Sequence, residues 1–223
     1  MKGRVENLEE ITVNLDSTGQ LKADSTVSTT SFNEGGYVTK YTSKDSTGQT
    51  ILEQTISRNP DGTFSEAKNT KDGKQIYRLV TEVDENGKYS GGKTYDSTGK
   101  QDGYYTDLKT NEYGIVYAGK QHFMNGNIKS TFDMKYEGAN FVGGASTDST
   151  GKISYQGTVK LNEKGDPIEE QSTSRENDSI TTKNLTYKYD SYDDKGNWTQ
   201  RTAYNDKGKP TIILRRIFTY YKD

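Results

Sequence analysis

Short turn-forming segments recur along this chain about every 13 residues, and they constrain its fold more than any other feature. The sharpest copies read Asp-Ser-Thr-Gly and occupy residues 16–19, 45–48, 96–99 and 148–151. An aspartate at the start of such a segment accepts hydrogen bonds from the turn backbone, and a terminal glycine adopts positive φ without a Cβ clash. Turns of this kind join antiparallel neighbouring strands. The repeat therefore predicts a β-meander.

Looser turn segments extend the series over the whole chain. Those that keep an Asx-x-x-Gly pattern, and the shorter ones, lie at residues 33–36, 84–87, 111–114, 162–165, 193–196 and 205–208, and at 61–62, 72–73, 125–126, 137–138 and 177–178. The spacing leaves about 14–16 strands of roughly 8–10 residues each. Because large sheets twist and coil, we expect an all-β antiparallel meander that forms a curled single sheet, half-barrel or roll, as one repetitive domain over residues 1–223.

The composition indicates strands with one dry face and a thin core. Hydrophobic residues make up only 28% of the chain, but 17 tyrosines and one tryptophan add apolar area, and the net charge is only −2. Residues alternate in polarity in several segments, most clearly over 152–161, which is typical of half-buried strands. The only helix that the pattern supports is a short one over residues 5–11, where Leu8 and Ile11 have helical spacing.

Several classes of protein are excluded by residues that the chain lacks. There is no cysteine, so neither disulfides nor thiolate metal sites can form. No apolar run is long enough for a transmembrane helix. The distribution of charge excludes a further class. The 30 basic and 32 acidic residues of the chain are interspersed, which argues against a nucleic-acid partner.

The C-terminal residues resemble a known group of repeat proteins. Tyr187-Lys-Tyr-Asp190 precedes a Gly-Asn-Trp-Thr-Gln-Arg run that ends at Arg201, and a Tyr-Asp-Ser-Thr-Gly copy begins at Tyr95. This text is similar to the tyrosine–aspartate (YD, Rhs-type) repeats, most strongly over residues 185–221, and to small secreted or lipid-anchored proteins of Bacteroidetes. Residues 124–129 and 136–138 resemble the MORN/YwqK-type hairpin repeats. The resemblance implies a continuous β-meander in an exported protein of unassigned chemistry.

No motif predicts catalysis, a cofactor or a metal. His122 is the sole histidine, so neither a histidine-based catalytic triad nor a multi-histidine metal site can be built. Most carboxylates lie at turns, where solvation explains them better than a pair facing across a cleft. The glycine pairs Gly91-Gly92 and Gly143-Gly144 lack the context of a phosphate loop and indicate bulges or close packing. We expect a protein that is not an enzyme and that needs no cofactor.

Aromatic side chains are the best candidates for ligand contact. They either replace the missing aliphatic core or line a face that stacks sugars or grips a peptide. The candidate contact residues are Tyr104, Tyr105, Tyr117, Phe123, Tyr136, Tyr155 and Trp198.

Two functional hypotheses follow from the sequence. The first is a non-enzymatic exported binding or structural protein of a bacterial cell envelope, which uses a broad sheet face to contact a glycan or protein. It would lie in the periplasm, on the outer membrane or outside the cell, with a leader removed or a lipid anchor attached upstream of the chain. The alternative is a cytoplasmic immunity or antitoxin-type protein that binds a toxin, if Met1 is the native start.

Overall fold

In a computed structural model of the protein, which describes residues 1–16, 18–60, 62–112, 115–176 and 179–222, every regular element is a β-strand. Sixteen strands lie within these residues, in agreement with the strand number that the turn spacing predicts. They are β1 Val5–Asn14, β2 Thr26–Phe32, β3 Val38–Lys44, β4 Thr50–Arg58, β5 Phe64–Lys71, β6 Lys74–Val83, β7 Tyr89–Tyr95, β8 Gln101–Thr110, β9 Val116–Phe123, β10 Ile128–Glu137, β11 Asn140–Asp148, β12 Ile153–Leu161, β13 Pro167–Glu176, β14 Ser179–Tyr192, β15 Trp198–Tyr204 and β16 Pro210–Tyr220.

The turns form through one repeated hydrogen-bond pattern. In the first copy, the Asp16 N–H donates to the Gln20 carbonyl and the Gly19 N–H donates to the Asp16 carbonyl. Gly19 has a φ of 84° in this turn. The other three Asp-Ser-Thr-Gly segments repeat both bonds. Residues outside the described ranges occur in four predicted turns, at 16–19, 61–62, 111–114 and 177–178.

The sheet closes on itself, which corrects the expectation of a curled open sheet, half-barrel or roll. Consecutive strands are neighbours throughout, and β1 also pairs with β16, so the order forms a closed barrel. In the closing pair, Leu8 lies opposite Phe218 and Val13 opposite Ile213, in an antiparallel register. Closure gives both terminal strands a second partner and removes the two unpaired edges that an open meander would leave.

The predicted helix over residues 5–11 is wrong, because these residues belong to strand β1. Strand β1 pairs with β2 on one side and with β16 on the other, so its backbone groups are satisfied by sheet hydrogen bonds. A helix of two turns would be marginal in water, and tertiary pairing overrides such a weak local signal. Among the described residues, no helix is long and apolar enough to cross a membrane.

The chain divides into two compact units. The first comprises Met1–Ser57, Ala67–Ile76 and Leu185–Asp223, and the second comprises Arg58–Glu66 and Tyr77–Asn184. The core of the first unit is a cluster of Val5, Leu8 and Phe32. The expectation of a single domain stays a prediction.

Alternation along the strands of the second unit produces two faces of different character. One face carries charged side chains that form ion pairs between neighbouring strands, such as Lys93 with Glu82 at 2.6 Å. The other carries apolar and aromatic side chains, among them Leu79, Tyr105 and Phe132. We refer to them as the charged face and the apolar face.

Strand glycines mark places where backbones or side chains approach closely, as the sequence predicts. A Cβ atom on Gly91 would lie 2.8 Å from the Tyr105 carbonyl oxygen. A Cβ atom on Gly144 would lie 2.6 Å from the Asp133 carbonyl oxygen. Close approach therefore accounts for these residues without a phosphate ligand.

Candidate ligand-binding groove

Two of the seven predicted contact aromatics, half-buried Tyr104 and exposed Phe123, lie where β8 pairs with the end of β9. Tyr104 stacks on His122 with ring centroids 4.8 Å apart and an interplanar angle of 7°. Phe123 is 40% exposed, and the Lys129 ammonium lies 5.8 Å from its ring centroid. Tyr104 and His122 are both half-buried, so their stacked rings are partly exposed to solvent.

Four further candidates are half-buried and pack within the second unit. Tyr105 meets Phe132 edge to face, with centroids 6.5 Å apart, and Tyr136 meets Phe141 in the same way at 5.8 Å. Tyr155 lies over Gly157, where a Cβ atom would collide with its hydroxyl. Burial, together with the negative charge of Glu170, raises the pKa of Tyr155. Tyr117 is half-buried on β9.

Trp198 is buried in the first unit and has only 4% of its surface exposed. The Arg216 guanidinium lies 3.6 Å from its ring centroid and the Arg201 guanidinium lies 4.6 Å away. Arg216 also forms an ion pair of 2.8 Å with Glu10 on β1. Burial lowers the pKa of Arg216, although Glu10 opposes that shift. Trp198 is thus enclosed by its own neighbours.

The Tyr104–His122 pair is held in place from both sides of the imidazole. His122 Nδ1 lies 3.1 Å from the Gly126 carbonyl oxygen, and Nε2 lies 2.9 Å from the Thr106 hydroxyl. Because a carbonyl oxygen only accepts, Nδ1 carries the proton of that bond. The ring is therefore oriented by a turn and by a strand, and it offers a rigid support for Tyr104.

The residues beside this pair lie in rows across β8–β11 on the charged face. Thr106 pairs with Lys120, Lys120 with Thr131, and Thr131 with Thr147, whose hydroxyl is 2.7 Å from that of Thr131. The next row places small Ala118 and Ala145 on either side of Asp133. Small side chains beside long ones leave a depression in a sheet face.

This depression is a groove of about 730 Å³. Tyr104 and Thr106 are two residues apart on β8, so the ring pair lies about 7 Å along the strand from the threonine row. The groove is lined by Asp107, Leu108, Lys109, Ala118, Gly119, Lys120, Thr131, Phe132, Asp133, Ala145 and Thr147.

A bulge in β8 places a carboxylate at the rim of the groove. The register between Thr106 and Lys109 shifts by one residue, and Asp107 within the shift has a φ of 55°. Its carboxylate lies 2.8 Å from the Lys120 ammonium. The hydrogen bond and the charge of Lys120 lower the pKa of Asp107. Asp107 is therefore an ionised hydrogen-bond acceptor at neutral pH.

The sequence reasoning found Tyr104 but missed Asp107, Lys120 and the threonine row. Polarity alternation assigns each of these residues to a strand face, but it cannot tell which residues of four different strands share a row. The bulge has no strong sequence signal either, because its positive φ occurs at an aspartate rather than a glycine. Among the described residues, no group of three or more carboxylate or imidazole side chains is placed to hold a metal.

The sequence matches no known family and no curated protein. The YD and MORN/YwqK resemblance therefore stays a prediction.

The fold, in contrast, has a counterpart among solved structures. The crystal structure of a porin-like protein from Bacteroides uniformis is similar over 98% of both chains, with a TM-score of 0.61 and 13% identity. At that identity the likeness concerns the fold alone. A TcdB2-TccC3 crystal structure aligns with 95% of this chain and 12% of its own chain, with a TM-score of 0.39 and 12% sequence identity. The Photorhabdus luminescens Tc holotoxin pore aligns with 93% of this chain and 16% of its own chain, with a TM-score of 0.29 and 13% sequence identity.

Proposed function

We propose that this protein is a non-enzymatic binding protein of a bacterial cell envelope and that it contacts a glycan through the groove on β8–β11. The observation that carries the proposal is the stacked Tyr104–His122 ring pair, which lies beside a groove of about 730 Å³ whose lining combines apolar surface with charged and hydroxyl side chains.

The chemistry of the groove suits a sugar better than a peptide side chain. A pyranose ring has an apolar face of C–H groups, which stacks on a flat aromatic ring, and an edge of hydroxyls that donate and accept hydrogen bonds. Tyr104 offers the ring. Asp107 offers acceptors, Lys120 offers donors, and the hydroxyls of Thr131 and Thr147 offer both.

The location in the envelope rests on the fold and on the distribution of charge. The porin-like Bacteroides uniformis protein shares the fold, and the YD resemblance points to exported proteins. The charged face of the second unit carries further ion pairs, such as Lys160 with Glu169 at 3.0 Å, and exposed lysines at mid-strand, so it suits contact with water. We therefore propose the periplasm or an outer surface as the compartment.

The absence of catalysis is also part of the proposal. His122 uses both ring nitrogens to hold its position, and Asp107 is paired with Lys120, so neither is poised to transfer a proton to a bound sugar.

A glycan array followed by calorimetric titration of the best ligand tests this function. We expect saturable binding, and we expect Tyr104→Ala to weaken it about tenfold, equivalent to about 1.4 kcal/mol, because the stacking ring is lost. Tyr37→Ala is the matched control, since Tyr37 is an exposed tyrosine on a turn of the first unit.

Binding of a glycan that Tyr104→Ala leaves unchanged would place the site elsewhere. No glycan binding, together with capture of a toxin from the native host, would support the immunity-protein alternative instead.

A further inference from the structure

A second cavity lies on the apolar face of the second unit, and it has a different chemistry from the groove. Its volume is about 370 Å³, and strands β5–β10 supply its walls. Phe64, Leu79, Tyr105, Val116 and Phe132 contribute apolar surface from five different strands. None of the described residues that line it carries a charge.

The polar atoms in the wall have partners within the protein. The Thr81 hydroxyl donates to the Phe64 carbonyl at 2.6 Å, and the Phe64 N–H donates to the Tyr89 hydroxyl. The Tyr105 hydroxyl is hydrogen-bonded to Tyr77. A ligand is therefore not required to satisfy these groups, and a charged ligand would lose its hydration without compensation.

The neighbourhood of the cavity is itself poorly hydrated. Burial is the main cause that raises the pKa of Tyr77, and the nearby Tyr105 and Asp102 add to it. Gly91 also lines the cavity.

The volume sets the size of the occupant. An apolar protein cavity of about 150 Å³ accommodates benzene. By the same proportion a cavity of 370 Å³ accommodates about 15 non-hydrogen atoms.

We propose that this cavity binds one small, uncharged, apolar molecule of the size of a substituted bicyclic aromatic compound. The site differs from the glycan groove in its chemistry, because it shares only Leu108 and Phe132 with the groove and none of the groove's charged side chains.

The probe for this site is N-phenyl-1-naphthylamine, which fluoresces when it leaves water. Its anionic counterpart, 8-anilinonaphthalene-1-sulfonate, has the same ring skeleton with an added sulfonate. We expect saturable one-to-one binding of the neutral probe and binding at least about tenfold weaker for the anion, because the cavity offers no cation.

Two substitutions that fill the cavity, each from a different wall, test whether the probe binds there. We expect Val116→Phe and Leu79→Phe each to weaken binding of the neutral probe about tenfold, because they occupy its volume. Val83→Phe is the matched control, since Val83 is 43% exposed and does not line the cavity, and we expect wild-type affinity from it. Thermal unfolding checks that each variant is folded.

A measurement without substitution completes the test. Nuclear Overhauser effects between the probe and the methyl groups of Leu79, Leu108 and Val116 are expected in the wild-type protein. Their absence would overturn the proposal, as would non-saturable binding, equal affinity for the anion, or wild-type affinity in both filled variants.

Discussion

At the scale of single residues, each Asp-Ser-Thr-Gly turn is stabilised by hydrogen bonds that its aspartate side chain accepts. Asp16 Oδ1 accepts hydrogen bonds from the Thr18 hydroxyl at 2.6 Å, from the Thr18 N–H at 2.8 Å and from the Gln20 N–H at 2.9 Å. The same three bonds occur in the turns that begin at Asp45, Asp96 and Asp148. The hydrogen bond from the threonine hydroxyl is the main cause that lowers the pKa of each aspartate.

These turns predict how stability responds to acid. Each aspartate has a lower pKa in the folded protein than in the unfolded chain, so its stabilising effect is present above the unfolded pKa and is lost as pH falls through the folded pKa. We expect replacement of the four turn threonines by valine to raise the four carboxyl pKa values towards their usual range, measured by NMR titration of the side-chain carboxyl carbons. Stability at neutral pH should fall, because the protein loses part of that contribution.

Thr55→Val and Thr158→Val are the controls, since both residues are exposed on strands rather than in these turns. Unchanged aspartate pKa values in the turn variants would show that the threonine hydroxyls do not act as described.

At the scale of elements, close strand packing depends on glycines that stand where a side chain would meet backbone. Gly103 on β8 is buried, and a Cβ atom there would lie 2.5 Å from the His122 carbonyl oxygen and 3.0 Å from the Thr94 hydroxyl. Thr94 is only 1% exposed, so it has little room to move. The register of β8 against β7 and β9 therefore requires a glycine at this position.

We expect Gly103→Ala to reduce the free energy of unfolding by about 1–3 kcal/mol, because overpacking displaces the backbone of a neighbouring strand. Urea unfolding measures this change. The control is Gly35→Ala, where the nearest atoms belong to the exposed Tyr37 ring at 3.2 Å, and a change within about 0.5 kcal/mol is expected. Equal effects of the two substitutions would contradict the role given to the close approach.

At the scale of the whole molecule, closure depends on contacts between residues from opposite ends of the sequence. Asn197 is buried, and its side chain accepts from the Lys2 N–H at 2.7 Å and donates to the Lys2 carbonyl at 2.8 Å. It also donates to the Tyr220 hydroxyl at 2.9 Å. Tyr220, at the end of β16, donates in turn to Asp193. These bonds hold the start of the chain beside the closing pair of strands.

The Tyr220 hydroxyl predicts weakening of this region at high pH. Burial, assisted by the hydrogen bond to Asp193, raises the pKa of Tyr220 to about 12. Since the unfolded value is near 10, the contribution of the hydroxyl is fully present below about pH 10 and is lost as pH rises to about 12. We expect hydrogen exchange in β1 and β16 to accelerate over this range relative to the other strands, after correction for the intrinsic pH dependence of exchange.

Tyr220→Phe removes the titrating group, so its β1 and β16 amides should lose this additional pH dependence. Tyr37→Phe, at an exposed turn, should retain it. The same pH dependence in Tyr220→Phe as in the wild type would assign the effect to another residue.

The sequence predicted the strands and turns better than it predicted the candidate ligand-binding groove. The strand boundaries follow from turns such as residues 16–19, whose hydrogen bonds join residues three or four positions apart. Tyr104, Tyr105 and Trp198 were equivalent candidates in the sequence, yet Tyr104 stacks on His122 beside a groove, Tyr105 lines a cavity and Trp198 is enclosed by two arginines. Face, register and local bulges decide that difference, and none of these is encoded by residue type alone.

The sequence by itself determined the antiparallel meander, its strand number and its turn chemistry, because Asp, Thr and Gly act over a few residues of backbone. Only the tertiary structure decided that β1 would be a strand rather than a short helix and that the meander would close. Glu10 and Arg216, which face each other across the closing pair, are 206 residues apart in the chain. Such a contact forms only when all the intervening strands have paired in their native register, so no local sequence pattern predicts it.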